Sequence, residues 1–80
     1  MKVTHFLKIE DKFIEDVLSG DKNFEVRIND RGFQKGDKVN FRKINDPESF
    51  VRATATISYV LSGYGIKEDW VVFGLKDVSK

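Results

Sequence analysis

The chain has 80 residues, of which 40% are hydrophobic and 12% are aromatic. A chain of this length buries only about 60% of its unfolded surface, so we expect residues 1–80 to form a single small domain with one core. Although 34% of the residues are charged, the formal net charge is only +1. This excludes a basic field over the whole molecule, and any anion-binding site has to come from local clustering of cations.

Cysteine is absent and there is one histidine. Disulfides and thiolate metal sites are therefore excluded, and a zinc site would have to rely on carboxylates. We expect no metal and no cofactor. The sequence also has no apolar run of signal-peptide length and nothing near the ~20 apolar residues of a membrane span. We therefore expect a soluble, cytoplasmic protein with no membrane partner.

The first two predicted elements are a strand and a helix. Residues 1–9 alternate, with Val3, His5 and Leu7 on the apolar side, which predicts a half-buried strand. Over residues 10–19 the apolar spacing changes to that of an amphipathic helix. Gly20 follows, and we expect it to end the helix in the left-handed conformation.

The stretch after the helix predicts a second strand with two different faces. Phe24, Val26 and Ile28 share one side of such a strand, because strand side chains alternate. Glu25 and Arg27 share the other side. We expect the apolar set to face the core, which leaves the acid and the base on the opposite face.

Three further strands are predicted, separated by segments rich in turn-forming residues. They cover residues 39–44, 50–61 and 70–75, and residues 76–80 are expected to be a polar tail. The predicted order is therefore β-α-β-β-β-β, which does not suit a doubly wound parallel sheet. We predict a mainly β (α+β) fold, a small barrel of about five strands with one helix covering an opening.

Residues 20–27 contain the pattern Gly-x-Lys-x-x-Glu-x-Arg. It resembles the signature of the ASCH domains, a branch of the PUA-like superfamily of small β-barrels. The surrounding segments 4–9, 33–37 and 65–72 resemble, in the same order, a compact ASCH-like family of largely unassigned function. The resemblance covers essentially the whole chain and implies a PUA-like barrel.

The resemblance implies a nucleic-acid-binding module, most plausibly for RNA, since many PUA-like domains bind RNA. Lys22 and Arg27 would hold phosphate oxygens, and Glu25 would read a base edge or orient Arg27. The predicted binding residues line a cleft between helix and barrel and are Lys8, Lys22, Glu25, Arg27, Arg31 and Tyr64. Tyr64 is a candidate for stacking on a base, and His5 and Trp70 are predicted to line the pocket.

A purely structural role is the alternative for several of these residues. His5 and Trp70 also fit a hydrogen-bonded core histidine and a core tryptophan. The charged cluster fits an ion-pair network that fixes strand register and has no other role.

An enzymatic alternative also comes from the resemblance, because some compact ASCH-like proteins are amidohydrolases of acylated pyrimidine nucleosides. Lys22 matches the lysine of that signature, but Glu25 stands where the family has a threonine. A carboxylate would act as a general base on water and not as a hydroxyl nucleophile. We therefore expect a binding module in preference to an enzyme.

Overall fold

The computed structural model describes residues 2–80 and is mainly β, with five strands in a curled, half-barrel sheet and one short helix. In chain order the elements are β1 (Thr4–Ile9), α1 (Asp11–Ser19), β2 (Phe24–Ile28), β3 (Lys38–Lys43), β4 (Arg52–Leu61) and β5 (Trp70–Ser79). Within residues 2–80, no helix has the length and apolarity needed to cross a bilayer.

The strands lie in the order β1-β3-β4-β5-β2. β1 runs parallel to β3, and the other three neighbouring pairs are antiparallel. β1 and β2, which flank the helix in sequence, therefore form the two outer strands of the curled sheet. The sheet has a free edge at each of them.

The core consists of the inward side chains of the sheet together with one side of α1. Ile14 and Val17 of the helix are fully buried, and the helix packs against β3, β4 and β5. Gly20 ends the helix with φ 88°, which confirms the predicted left-handed stop. The Lys22 amide then donates a 2.9 Å hydrogen bond to the carbonyl of Asp16, so the loop after α1 is held against the helix end.

The predicted element order is confirmed, and the strand boundaries differ at both ends of the chain. β1 begins at Thr4, and Met1, which the prediction included, lies outside the described residues. The predicted polar tail is wrong, because β5 continues to Ser79. There Ser79 pairs with Thr54, and their hydroxyl oxygens lie 2.8 Å apart. Pairing with the long strand β4 explains why these polar residues form a strand, which their own sequence pattern does not predict.

The predicted orientation of β2 is wrong. Its apolar residues Phe24, Val26 and Ile28 are 45%, 47% and 50% exposed, whereas Glu25 is only 6% exposed. The register of β2 on β5 explains the reversal, since Glu25 lies opposite Phe73 and Arg27 opposite Val71. Both partners belong to the buried core. Residues that face each other across a ladder point to the same side, so Glu25 and Arg27 point inward.

A second buried polar contact joins the start of β1 to the turn before β3. His5 Nε2 lies 2.9 Å from Asp37 Oδ2, and the amide of Gln34 donates to the same oxygen at 3.1 Å. The His5 ring packs edge-on against Phe33, with centroids 4.7 Å apart. Burial raises the pKa of Asp37, but the hydrogen bonds from His5, Gln34 and Val3 lower it, and the pKa lies below its ordinary value.

We predict that Asp37→Asn lowers the free energy of unfolding at pH 7 by about 1–3 kcal/mol, because it removes a charged acceptor of several hydrogen bonds. The folded-state pKa is the lower one, so the carboxylate stabilises the fold above the unfolded-state pKa of about 3.9 and this contribution is lost as the pH falls. Urea unfolding between about pH 7 and pH 3 measures this. The difference between variant and wild type should shrink on acidification. Glu48→Gln, at an exposed loop carboxylate, should show no such difference at any pH.

Candidate functional site

A cleft of about 550 Å³ lies between the free edges of β1 and β2. One wall is the end of β1 and the other is the whole of β2. Residues of α1 and the loops, together with Trp70 of β5, complete the lining. The lining residues are Leu7, Lys8, Ile9, Glu10, Phe13, Lys22, Phe24, Glu25, Val26, Arg27, Ile28, Asp30, Arg31, Phe33, Ile44 and Trp70. The cleft therefore occupies the gap that keeps the half-barrel from closing.

The inward position of β2 brings three charged groups together in this cleft. Lys22 Nζ donates a hydrogen bond to Oε1 of the Glu25 carboxylate, and Arg27 Nε donates one to Oε2 at 2.8 Å. The exposed fraction is 8% for the Glu25 side chain, 16% for Lys22 and 24% for Arg27. The anion is thus nearly buried, while both cations still reach solvent.

Backbone carbonyls hold the same two cations. Lys22 Nζ donates a 3.0 Å hydrogen bond to the carbonyl of Phe24, and Arg27 Nη2 donates to the carbonyl of Lys8 on β1. The Arg27 side chain therefore spans the gap between β2 and β1. It links the two edges of the sheet at the cleft.

Aromatic rings lie near both cations. Lys22 Nζ lies 5.3 Å from the ring centroid of Phe13 and 5.2 Å from that of Phe24. The Arg27 guanidinium lies 6.0 Å from the ring of buried Phe41. Cations at these distances are attracted by the ring faces. Both side chains are therefore held in place by contacts within the protein.

The structure brings most of the predicted site residues together. The predicted residues that line the cleft are Lys8, Lys22, Glu25, Arg27, Arg31 and Trp70. His5 does not line it. The His5 ring packs against Phe33, which does line the cleft, and His5 Nε2 pairs with Asp37. Tyr64 does not line it either. Its side chain is 92% exposed in the turn between β4 and β5.

Sequence reasoning missed the aromatic residues beside Lys22. The amphipathic pattern of residues 10–19 does not connect Phe13 with the cleft, and the alternation of β2 predicts a core-facing Phe24. Phe24 is close to Lys22 in the sequence, but only the reversal of β2 shows that Phe24 stays on the outside with the lysine against it. Phe13 reaches Lys22 only through the packing of α1. Within residues 2–80, no group of three or more His, Asp or Glu side chains is placed to hold a metal ion.

We predict that Glu25→Gln lowers the free energy of unfolding by about 2 kcal/mol, because it leaves two inward cations without their anion. This is less than the roughly 3–5 kcal/mol expected for a fully buried pair, because both cations still reach solvent. Asp30→Asn is the matched control. Asp30 Oδ1 lies 3.9 Å from Arg31 Nε on the exposed rim, where ion pairs contribute little to stability. Urea unfolding of both variants at neutral pH measures the difference. Equal stability of the two would contradict a structural role for the buried pair.

Comparison with known proteins identifies the family but no activity. A family model described as "Domain of unknown function (DUF3850)" matches residues 4–75. No curated protein matches the chain. The matched segment runs from the first residue of β1 into β5 and includes every residue of the cleft. The chain therefore belongs to the DUF3850 family.

Proposed function

We propose that the cleft between β1 and β2 binds nucleic acid, and that its ligand is an unpaired segment of RNA. The observation that carries this proposal is the convergence of Lys22, Glu25 and Arg27 in one open cleft. Four cationic and three anionic residues line the cleft, so its charge is locally positive in a molecule with little net charge. The finer fold assignment, a PUA-like barrel of the ASCH type, is part of the same proposal.

Arg27 is the best-placed phosphate ligand. Its Nε is committed to Glu25 and its Nη2 to the Lys8 carbonyl, but a guanidinium has five N–H donors, so others remain for phosphate oxygens. The groups that hold it also orient it, which reduces the entropy lost on binding. Lys8 is exposed on the rim and supports the same charge.

The dimensions of the cleft suit a single nucleotide. Its volume of about 550 Å³ falls within the roughly 300–1,000 Å³ typical of small-molecule sites. A half-buried aromatic residue, Trp70, lies at the cleft wall. Base stacking on such a ring contributes about 1–3 kcal/mol. A cleft of single-nucleotide size favours an unpaired strand, whose bases are free to enter it.

We predict that Arg27→Ala weakens binding to single-stranded RNA about tenfold. The fall of log affinity with log salt should become less steep by about 0.7, the value of one phosphate contact. Fluorescence anisotropy with short oligonucleotides at several salt concentrations measures both quantities. Arg52→Ala is the matched control. Arg52 is also a half-buried arginine that donates to backbone carbonyls, those of Pro47 and Ser49, and it does not line the cleft.

The Arg52 variant should bind RNA like the wild type. If the wild-type protein retains no oligonucleotide, or if both arginine variants lose affinity equally, the proposal is wrong. Loss of stability without loss of binding in Glu25→Gln would instead favour the purely structural role of the ion-pair network.

A second candidate function is supported by the direct contact of Lys22 Nζ with Glu25 Oε1 inside the cleft. This pair offers an acid and a base to a bound substrate, as hydrolysis of an N-acylated pyrimidine nucleoside requires. We expect that any such turnover disappears in Lys22→Ala. It should persist in Lys12→Ala, because Lys12 also lies near the Phe13 ring, at 5.0 Å, but does not line the cleft. Chromatographic detection of the deacylated nucleoside is the measurement, and absence of turnover across a panel of acylated nucleosides counts against this candidate.

A further inference from the structure

We infer that the free backbone edge of β2 reads the Watson–Crick edge of an unpaired base, with Val26 as the central contact. This inference rests on the proposed function and names the part of the RNA that the cleft recognises. It follows from the direction of the β2 backbone groups. No side chain has to supply the specificity.

Two hydrogen bonds at the ends of β2 define that direction. The Leu75 amide donates to the Asn23 carbonyl at 2.9 Å, and the Asn29 amide donates to the Asp69 carbonyl at 2.8 Å. In an antiparallel ladder, hydrogen-bonded and non-hydrogen-bonded pairs alternate. Odd-numbered residues of β2 therefore bond to β5, and the even-numbered residues direct their N–H and C=O groups to the free edge.

The free edge of β2 lines the cleft. Phe24, Val26 and Ile28 all belong to the cleft wall, and the Phe24 carbonyl already accepts a hydrogen bond from Lys22. The next residue with outward backbone groups is Val26, which is 47% exposed. Within residues 2–80, no side chain donates to its carbonyl or accepts from its amide. One donor and one acceptor therefore stand side by side in the cleft.

This pair of groups matches the chemistry of an unpaired base. The Watson–Crick edges of uracil and adenine each carry a donor beside an acceptor, and single-stranded RNA is recognised through such exposed edges. Trp70 lies opposite Ile28 in the ladder and also lines the cleft. The side chain of Arg27 points inward from the next position along β2. The base would lie along the strand edge, with its phosphate at Arg27 or Lys8.

A free strand edge can also accept an extended peptide. Charge favours nucleic acid here, because four cationic residues against three anionic ones line the same cleft. These cations complement a phosphate backbone, whereas main-chain pairing with a peptide does not need them. The base-edge assignment therefore uses both the backbone direction and the charge of the site.

Val26→Pro tests the assignment on the protein. Proline removes the Val26 amide, and proline is tolerated on an edge strand where the N–H points away from the sheet. We expect the variant to fold, to lose about fivefold in affinity for a single-stranded hexamer, and to keep the salt slope of the wild type. Val26→Ala is the matched comparison, because it shortens the side chain and keeps the amide, and it should lose clearly less affinity than Val26→Pro.

Modified oligonucleotides test the assignment on the ligand and do not depend on the proline variant folding. N3-methyluridine and N6,N6-dimethyladenosine remove the donor of the base edge without changing the phosphate charge. Hexamers that contain them should bind wild-type protein about fivefold more weakly than uridine or adenosine hexamers. In the wild type, the Val26 amide resonance should move during titration with the unmodified hexamer.

Several outcomes would overturn the inference. Equal binding of methylated and unmodified hexamers, with an unmoved Val26 amide, rejects base-edge reading and leaves phosphate binding by Arg27 intact. Movement of that amide by an uncharged strand-forming peptide, but not by the hexamers, assigns the edge to a peptide. Absence of any salt-dependent binding to RNA rejects the proposed function itself and this inference with it.

Discussion

The structure depends on one carboxylate at an inward position of an edge strand. Glu25 holds Lys22, which follows the helix, and Arg27, which reaches the backbone of β1 through the Lys8 carbonyl. Helix end, β2 and β1 are therefore connected through a single acid. Without Glu25, Arg27 would lie near the ring of buried Phe41 and Lys22 near the rings of Phe13 and Phe24 without this anion. Leaving partly buried cations unpaired is costly, so Glu25 stabilises this arrangement of β2.

The same arrangement explains why the sheet is a half-barrel with a cleft. β1 and β2 carry free backbone groups on facing edges, and a charged side chain, not a ladder of backbone hydrogen bonds, spans the space between them. A side-chain bridge leaves room for a ligand, while a ladder would close it. The free edge of a sheet usually promotes unwanted pairing with strands of other chains. Here the edge of β2 lies in the wall of a cleft lined by four cationic and three anionic residues, and we propose that this edge recognises an unpaired base.

Local signals were enough to predict the order of elements. The change of apolar spacing after Ile9 indicates the helix, and Gly20 provides the left-handed residue that ends it, with φ 88° in the structure. The Lys22, Glu25 and Arg27 cluster was also predicted, since Glu25 and Arg27 share one side of a strand and Lys22 lies just upstream. The polar residues at the end of β5 escaped prediction, because their strand conformation comes from pairing with Thr54 and not from their own pattern.

The sequence by itself determined the elements, the helix stop and the grouping of the three charges. Period-two alternation divides a strand into two faces but does not say which one points inward. Only the tertiary structure decided this, by pairing Glu25 with Phe73 and Arg27 with Val71. The tertiary structure also separated His5 and Tyr64 from the cleft and brought Phe13 to Lys22. These contacts join segments distant in the chain, and their energies do not exist until the sheet has curled.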